Sequence, residues 1–178
     1  IMSNIAVVIP SIRPESMKTF MAAWKHLFEK HRVALITVLD GEVPTVNVTQ
    51  YYNDQYTQPV VSKPKTAEQV MGDAAESLTN FNAGIRNLGF AYAAKYLPDI
   101  EYFVTLDDDE DPIGDTIQEH LDALSMRVPI SWMSTASEYM RGFPYGVRSE
   151  AEVVLSHGVW EGVADWDAPT QLVLGGNR

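Results

Sequence analysis

Apolar residues fall along the chain in short runs that alternate with helical stripes. "NIAVVIPS" (4–11) is a continuous apolar run closed by Pro and Ser, the pattern of a strand buried on both faces. A helix follows, with Pro14 near its first turn and Met17, Phe20, Met21, Trp24, Leu27 and Phe28 recurring at helical spacing on one face. "VALITVLDG" (33–41) predicts a second strand closed by Asp40-Gly41. The stretch 42–79 is polar, with scattered Pro, Gly and Tyr, and yields no assigned element. A second helix is predicted over roughly 80–96, with Phe81, Ile85, Leu88, Tyr92 and Tyr96 on a shared face. "IEYFVTL" (100–106) gives a third strand and "DTIQEHLDALSMR" (115–127) a third helix. Strand–helix alternation of this kind predicts an α/β fold, a mostly parallel central sheet with helices on both faces. There is no internal repeat and no low-complexity segment.

Composition narrows the classes of function. A chain of 178 residues with 46% apolar content and four Trp can bury a core as one domain. A net charge of −11 argues against nucleic acid or an anionic membrane as partner, since both require basic surface. The absence of cysteine excludes a disulfide framework, a thiol zinc site and a thiol nucleophile. No apolar run reaches the length of a membrane span, and the N-terminus carries no signal-peptide pattern. The expectation is a soluble cytoplasmic domain.

Charge is most concentrated in "EYFVTLDDDEDP" (101–112), where Asp107, Asp108, Asp109, Glu110 and Asp111 stand side by side at the end of a strand. In open sheets of this class ligands bind beyond the carboxyl ends of the strands. Asp40, the acidic cluster and the loop Ser11–Arg13 all lie at such ends, which predicts one crevice carrying two acidic sites and an arginine. Carboxylates two residues apart can share a hard divalent cation, Mg or Mn, that bridges to phosphate oxygens. An acidic turn capping the next helix, or a merely solvated turn, would have the same composition. An EF-hand is ruled out by Pro112 where that loop needs Gly, and by Gln118 where it needs Glu.

"VVIPSIRP", "VLDGE", "IRNLGFAYA" and "YFVTLDDD", in this order, resemble the nucleotide-diphospho-sugar transferase fold, GT-A, a Rossmann-like sandwich. "RGFPYGVR" (141–148) and "SHGVWEGVADWDAPTQLV" (156–173) are similar to the reversibly glycosylated polypeptides, the plant UDP-arabinopyranose mutases of glycosyltransferase family 75. The resemblance implies a UDP-sugar substrate, a divalent metal (Mn or Mg) and the interconversion of UDP-arabinopyranose and UDP-arabinofuranose. It implies that Arg13, Asp40 and Arg86 contact the nucleotide. Asp107, Asp108 and Asp109 match the family's DDD site, with Asp107 and Asp109 as metal ligands and Asp107 and Asp108 beside the diphosphate. Arg141 matches the arginine that becomes glycosylated in the plant proteins, and Arg148 a second arginine close by. Asp165 and Asp167, flanking Trp166, match the family's paired aspartates, expected to hold sugar hydroxyls, act as a base, or cap the segment that follows. His157 and Trp160 are expected on the nucleotide-sugar side, against the alternatives of a structural hydrogen bond and core packing.

A guanidinium is protonated at ordinary pH and is a poor nucleophile. Arg141 is therefore weighed both as the group that receives the sugar and as a cation stabilising departing UDP. The plant members continue well past "DAPTQL", so the expected domain over 1–178 is a nucleotide-sugar-binding one, incomplete at its C-terminus. Three functions remain open from the sequence: a mutase, a transferase or self-glycosylating protein, and a non-catalytic nucleotide-sugar-binding subunit. A homo- or hetero-oligomer is expected by the same resemblance.

Overall fold

The computed structural model describes residues 4–51, 59–78, 81–125, 127–129 and 150–158. The chain divides into two compact units, residues 1–115 and 116–178.

The first unit runs β1 (Ile5–Ser11), α1 (Pro14–Lys30), β2 (Ala34–Leu39), β3 (Thr45–Gln50), β4 (Val60–Val61), β5 (Lys65–Thr66), α2 (Ala67–Met71), α3 (Arg86–Tyr96) and β6 (Tyr102–Thr105). Its sheet has the order β4-β3-β2-β1-β6, with β5 paired to β3. The three strands read from the sequence are neighbours: β1 lies parallel to β2 (Val8 opposite Ile36) and to β6 (Val7 opposite Val104). The sheet as a whole is mixed rather than mostly parallel. The polar stretch after Asp40 turns back through Pro44 and lays β3 antiparallel on β2, with Ile36 opposite Val48. β4 and β5 then pair antiparallel with β3. In "TVNVTQ" Val46 and Val48 are buried while Thr45, Asn47 and Thr49 are half-buried, so a period of two was present but diluted by polar composition.

The α3 segment and α2 cover one face of the sheet. Ala6, Val8, Ile36, Val38, Val46 and Val48 form one buried face with Ile85, Leu88, Tyr92 and Ala93 of the α3 segment and with Ala67 and Val70 of α2. α3 comes close because Gly89 faces the strands: a Cβ there would stand 2.5 Å from Val8 Cγ1 and 3.1 Å from Val38 Cγ2. The alternate strand positions Val7, Ile9 and Leu35 are also buried, and they point the other way. In α1 the buried Phe20, Trp24 and Phe28 form an aromatic ridge, following one another with centroids 5.5 and 5.8 Å apart.

The predicted helix over 80–96 is shorter than its pattern. The helix proper opens at Arg86, after a single tight turn over Ala83–Ile85 that is capped by Asn82, whose side chain accepts the Gly84 N–H at 2.7 Å. Phe81 therefore lies outside the helix and is exposed, not part of its apolar face. Ile85, Leu88 and Tyr92 are buried as the spacing predicts, while Tyr96 sits at the rim.

The second unit contains α4 (Thr116–Ser125) and an antiparallel pair, β7 (Arg127–Pro129) with β8 (Glu150–Glu152). The ring of His120 lies 2.7 Å from Ser156 Oγ. No helix among the described residues is long and apolar enough to cross a membrane.

Candidate functional site

Because β2, β1 and β6 run parallel side by side, their carboxyl ends open together. That places Ser11 and Arg13, Asp40, and Asp107–Asp109 around one cleft of about 420 Å³, completed by Phe81, Asn82 and Arg86 from the segment leading into α3. The strand ends predicted this convergence for Arg13, Asp40, Asp107, Asp108 and Asp109, and the family resemblance implied Arg86 near the nucleotide; all six line the cleft.

The acidic run is divided among different tasks. Asp108 is buried, 4% exposed, and both of its oxygens are engaged. Ser11 Oγ donates to Oδ2, Arg13 Nη2 donates to Oδ1, and Arg13 Nε lies 3.3 Å from Oδ2. The Ser11 hydroxyl in turn accepts the Arg13 backbone N–H at 3.0 Å. This two-nitrogen fork fixes the plane of the guanidinium. Pairing with Asp108 raises the pKa of Arg13 further above its ordinary value, so the guanidinium stays protonated. The Arg13 side chain remains 55% exposed, with Asp109 at 3.4 Å from Nη2.

Asp107 accepts from Arg86 Nη2. Arg86 Nε is buried and has no hydrogen-bond partner among the described residues. Glu110 folds back on the same turn: its Oε2 accepts the Asp107 N–H at 2.9 Å. Burial pushes the Glu110 carboxyl up, as do the charges of Asp107 and Asp109, against the Asp107 N–H and Arg86, which lower it. The turn is pinned to α1 by the indole of Trp24, which donates to the Glu110 carbonyl at 2.7 Å. Asp40 Oδ2 accepts the Phe81 N–H at 2.6 Å, while Asp40 Oδ1 is buried without a hydrogen-bond partner among the described residues.

Two arginines facing four aspartates give a cleft that can hold an anion at the guanidinium groups and a cation at the spare carboxylates. Among the described residues, no three His, Asp or Glu side chains gather as a cage for a metal ion. The donor set instead fits a cation of the magnesium type, which uses one or two carboxylates and completes its shell with water and phosphate oxygens. Asp109 (64% exposed) and Asp107 (46%) are open to such an ion; Asp108, buried and saturated by Ser11 and Arg13, is not.

His157, expected on the nucleotide-sugar side, belongs to the second unit and is exposed. Arg141, Arg148, Trp160, Asp165 and Asp167 lie outside the described residues. Sequence reasoning missed Phe81 and Asn82 as cleft residues. The usable signal was Asn82 itself, a helix-capping residue type that marks the start of the turn and leaves Phe81 before it.

The pattern of the reversibly glycosylated polypeptides matches residues 2–178. The chain belongs to that family. Over 187 residues it is 27% identical to a protein named probable UDP-arabinopyranose mutase 4 of Arabidopsis thaliana, covering 96% of this chain and 47% of that protein. A probable UDP-arabinopyranose mutase 1 of Zea mays is 27% identical and UDP-arabinopyranose mutase 1 of Oryza sativa 26% identical, with the same coverage. The chain thus spans about half the length of these reversibly glycosylated polypeptide relatives. No solved structure matches it significantly.

Proposed function

We propose that the cleft binds a UDP-sugar with a divalent cation, and that the chain carries the nucleotide-sugar site of an enzyme that interconverts UDP-arabinopyranose and UDP-arabinofuranose. The observation that carries this reading is the pair of oriented arginines, Arg13 on Asp108 and Arg86 on Asp107, at the carboxyl ends of three parallel strands. Relatives named as UDP-arabinopyranose mutases support the choice of substrate.

In such a reaction UDP departs from the anomeric carbon, the ring changes size, and UDP returns. The chain must therefore hold a diphosphate that becomes more negative as the glycosidic bond breaks. Fixed guanidinium groups suit that task because they need no reorientation as charge develops. Arg13 is held by Asp108 and presents its exposed side to the cleft; Arg86 keeps one buried N–H, on Nε, without a partner among the described residues. The N-terminus of α1 follows Arg13 directly, so the helix dipole adds to the positive potential at this end of the sheet. A divalent cation at Asp107 and Asp109 would supply charge neutralisation to the diphosphate. Asp40, with its unpartnered Oδ1, would accept a uracil N–H. Arg141 is assigned to receiving the sugar or to stabilising departing UDP, with Arg148, Asp165 and Asp167 on the sugar side.

Proton NMR of UDP-arabinopyranose with the protein in magnesium buffer tests the reading, with a chelated sample as control. Furanose anomeric signals that vanish on chelation establish a mutase. Magnesium-dependent shifts of the uridine signals without new furanose establish a nucleotide-sugar-binding unit that turns over only with a partner or acceptor. No magnesium-dependent change at all sinks the proposal.

A further inference from the structure

Phe81 combines two features that are each unfavourable. It is 69% exposed, and its φ is +59°. A large aromatic left in water forgoes the burial that drives folding. A left-handed backbone crowds its Cβ, and such conformations in bulky residues cluster at ligand sites where the surroundings over-determine them. Here the surroundings do: the Phe81 N–H is held by Asp40 Oδ2 at 2.6 Å, and the next residue, Asn82, locks the following turn through Gly84. At position 81 an asparagine or a glycine would serve the turn itself at less cost. The aromatic ring at 81 is not needed by the core, whose α3 side closes on Ile85, Leu88 and Tyr92.

Phe81 also lines the same cleft as Arg13 and Arg86, on the wall carrying Asp40. A planar apolar face beside a buried, unpartnered carboxylate oxygen matches a flat heterocycle with an N–H on its edge. We propose that Phe81 is the platform on which the nucleobase stacks, held in its strained turn by Asp40 so that ring and carboxylate address one base together. This rests on the reading of the cleft as a nucleotide-sugar site.

Calorimetric titration with UDP and, separately, with inorganic pyrophosphate, both in magnesium buffer, tests it on the wild type, Phe81→Asn and Phe81→Trp. Asn tolerates the left-handed backbone, so Phe81→Asn should melt at the wild-type temperature or higher. It should bind UDP about tenfold more weakly or worse, and pyrophosphate as the wild type does. Phe81→Trp should keep UDP binding. Equal UDP affinity in wild type and Phe81→Asn overturns the stacking role and leaves the nucleotide-sugar reading standing. Parallel loss of UDP and pyrophosphate in Phe81→Asn, or a change of oligomeric state instead of affinity, also overturns it. A wild type that binds pyrophosphate but gains nothing from the uridine overturns both.

Discussion

Arg13 closes a two-nitrogen fork on Asp108, ninety-five residues further along the chain, and so ties the end of β1 to the end of β6. The two partners live in different media: the carboxylate is buried while the guanidinium is half in water. An exposed ion pair of this charge type contributes little to stability. This one has a different consequence, because it aims a cation into the cleft and completes the pairing of a buried acid that also accepts from Ser11.

Asp108 should therefore act on ligand through Arg13. Asp108→Asn keeps the size and loses the charge, leaving Arg13 free to turn. UDP affinity in magnesium buffer should fall about tenfold, the scale of a lost hydrogen bond to a charged group. Ser11→Ala, which removes one of the partners of Asp108, should produce a smaller fall. Titration calorimetry on both variants checks the order. Unchanged affinity in Asp108→Asn would mean that the fork does not position Arg13 for the ligand.

Glu110 offers a test by pH. Its carboxyl is raised above the ordinary value of 4.5, chiefly by burial, so the folded chain favours the protonated acid. The ionised form is then a cost that is absent below the ordinary value and complete above the raised one. Glu110→Gln retains an oxygen to accept the Asp107 N–H and cannot ionise. The variant should melt higher than the wild type at pH 7, and the gap should close as the pH falls through the raised value to about 4.5. Melting curves across that range decide it; a gap that widens toward acid would show that the Glu110 carboxylate stabilises the turn instead.

How much of this was legible in the sequence depended on whether a residue's role is local. The three parallel strands announced themselves as apolar runs, and the acidic site followed from where such strands end. β3 stayed hidden because only Val46 and Val48 carry its alternation among polar residues. The division of labour within Asp107–Glu110 could not be read either: three adjacent aspartates look alike in a sequence, and only the pairing of β1 with β6 decides that Asp108 meets Ser11 and Arg13. Phe81 was misplaced for a related reason. An apolar residue four positions before Ile85 fits a helical stripe, and periodicity alone does not show that the backbone has already left the helix.

Gly89 gives two opposed expectations for one substitution. In an exposed helix, Gly→Ala gains up to ~1 kcal/mol from the lower conformational entropy of the unfolded chain. In α3 the added methyl meets Val8 Cγ1 at 2.5 Å and Val38 Cγ2 at 3.1 Å, both on β-branched core side chains with little freedom to yield. Overpacking of that kind costs about 1–3 kcal/mol. The clash should win, and Gly89→Ala should lower the urea midpoint with the slope unchanged. Since Arg86 opens the same helix, one turn away, lifting α3 should also loosen its pair with Asp107 and weaken UDP binding. An alanine variant as stable as the wild type would mean that α3 can rise from the sheet without cost, and that Arg86 is not held in place by the packing beneath it.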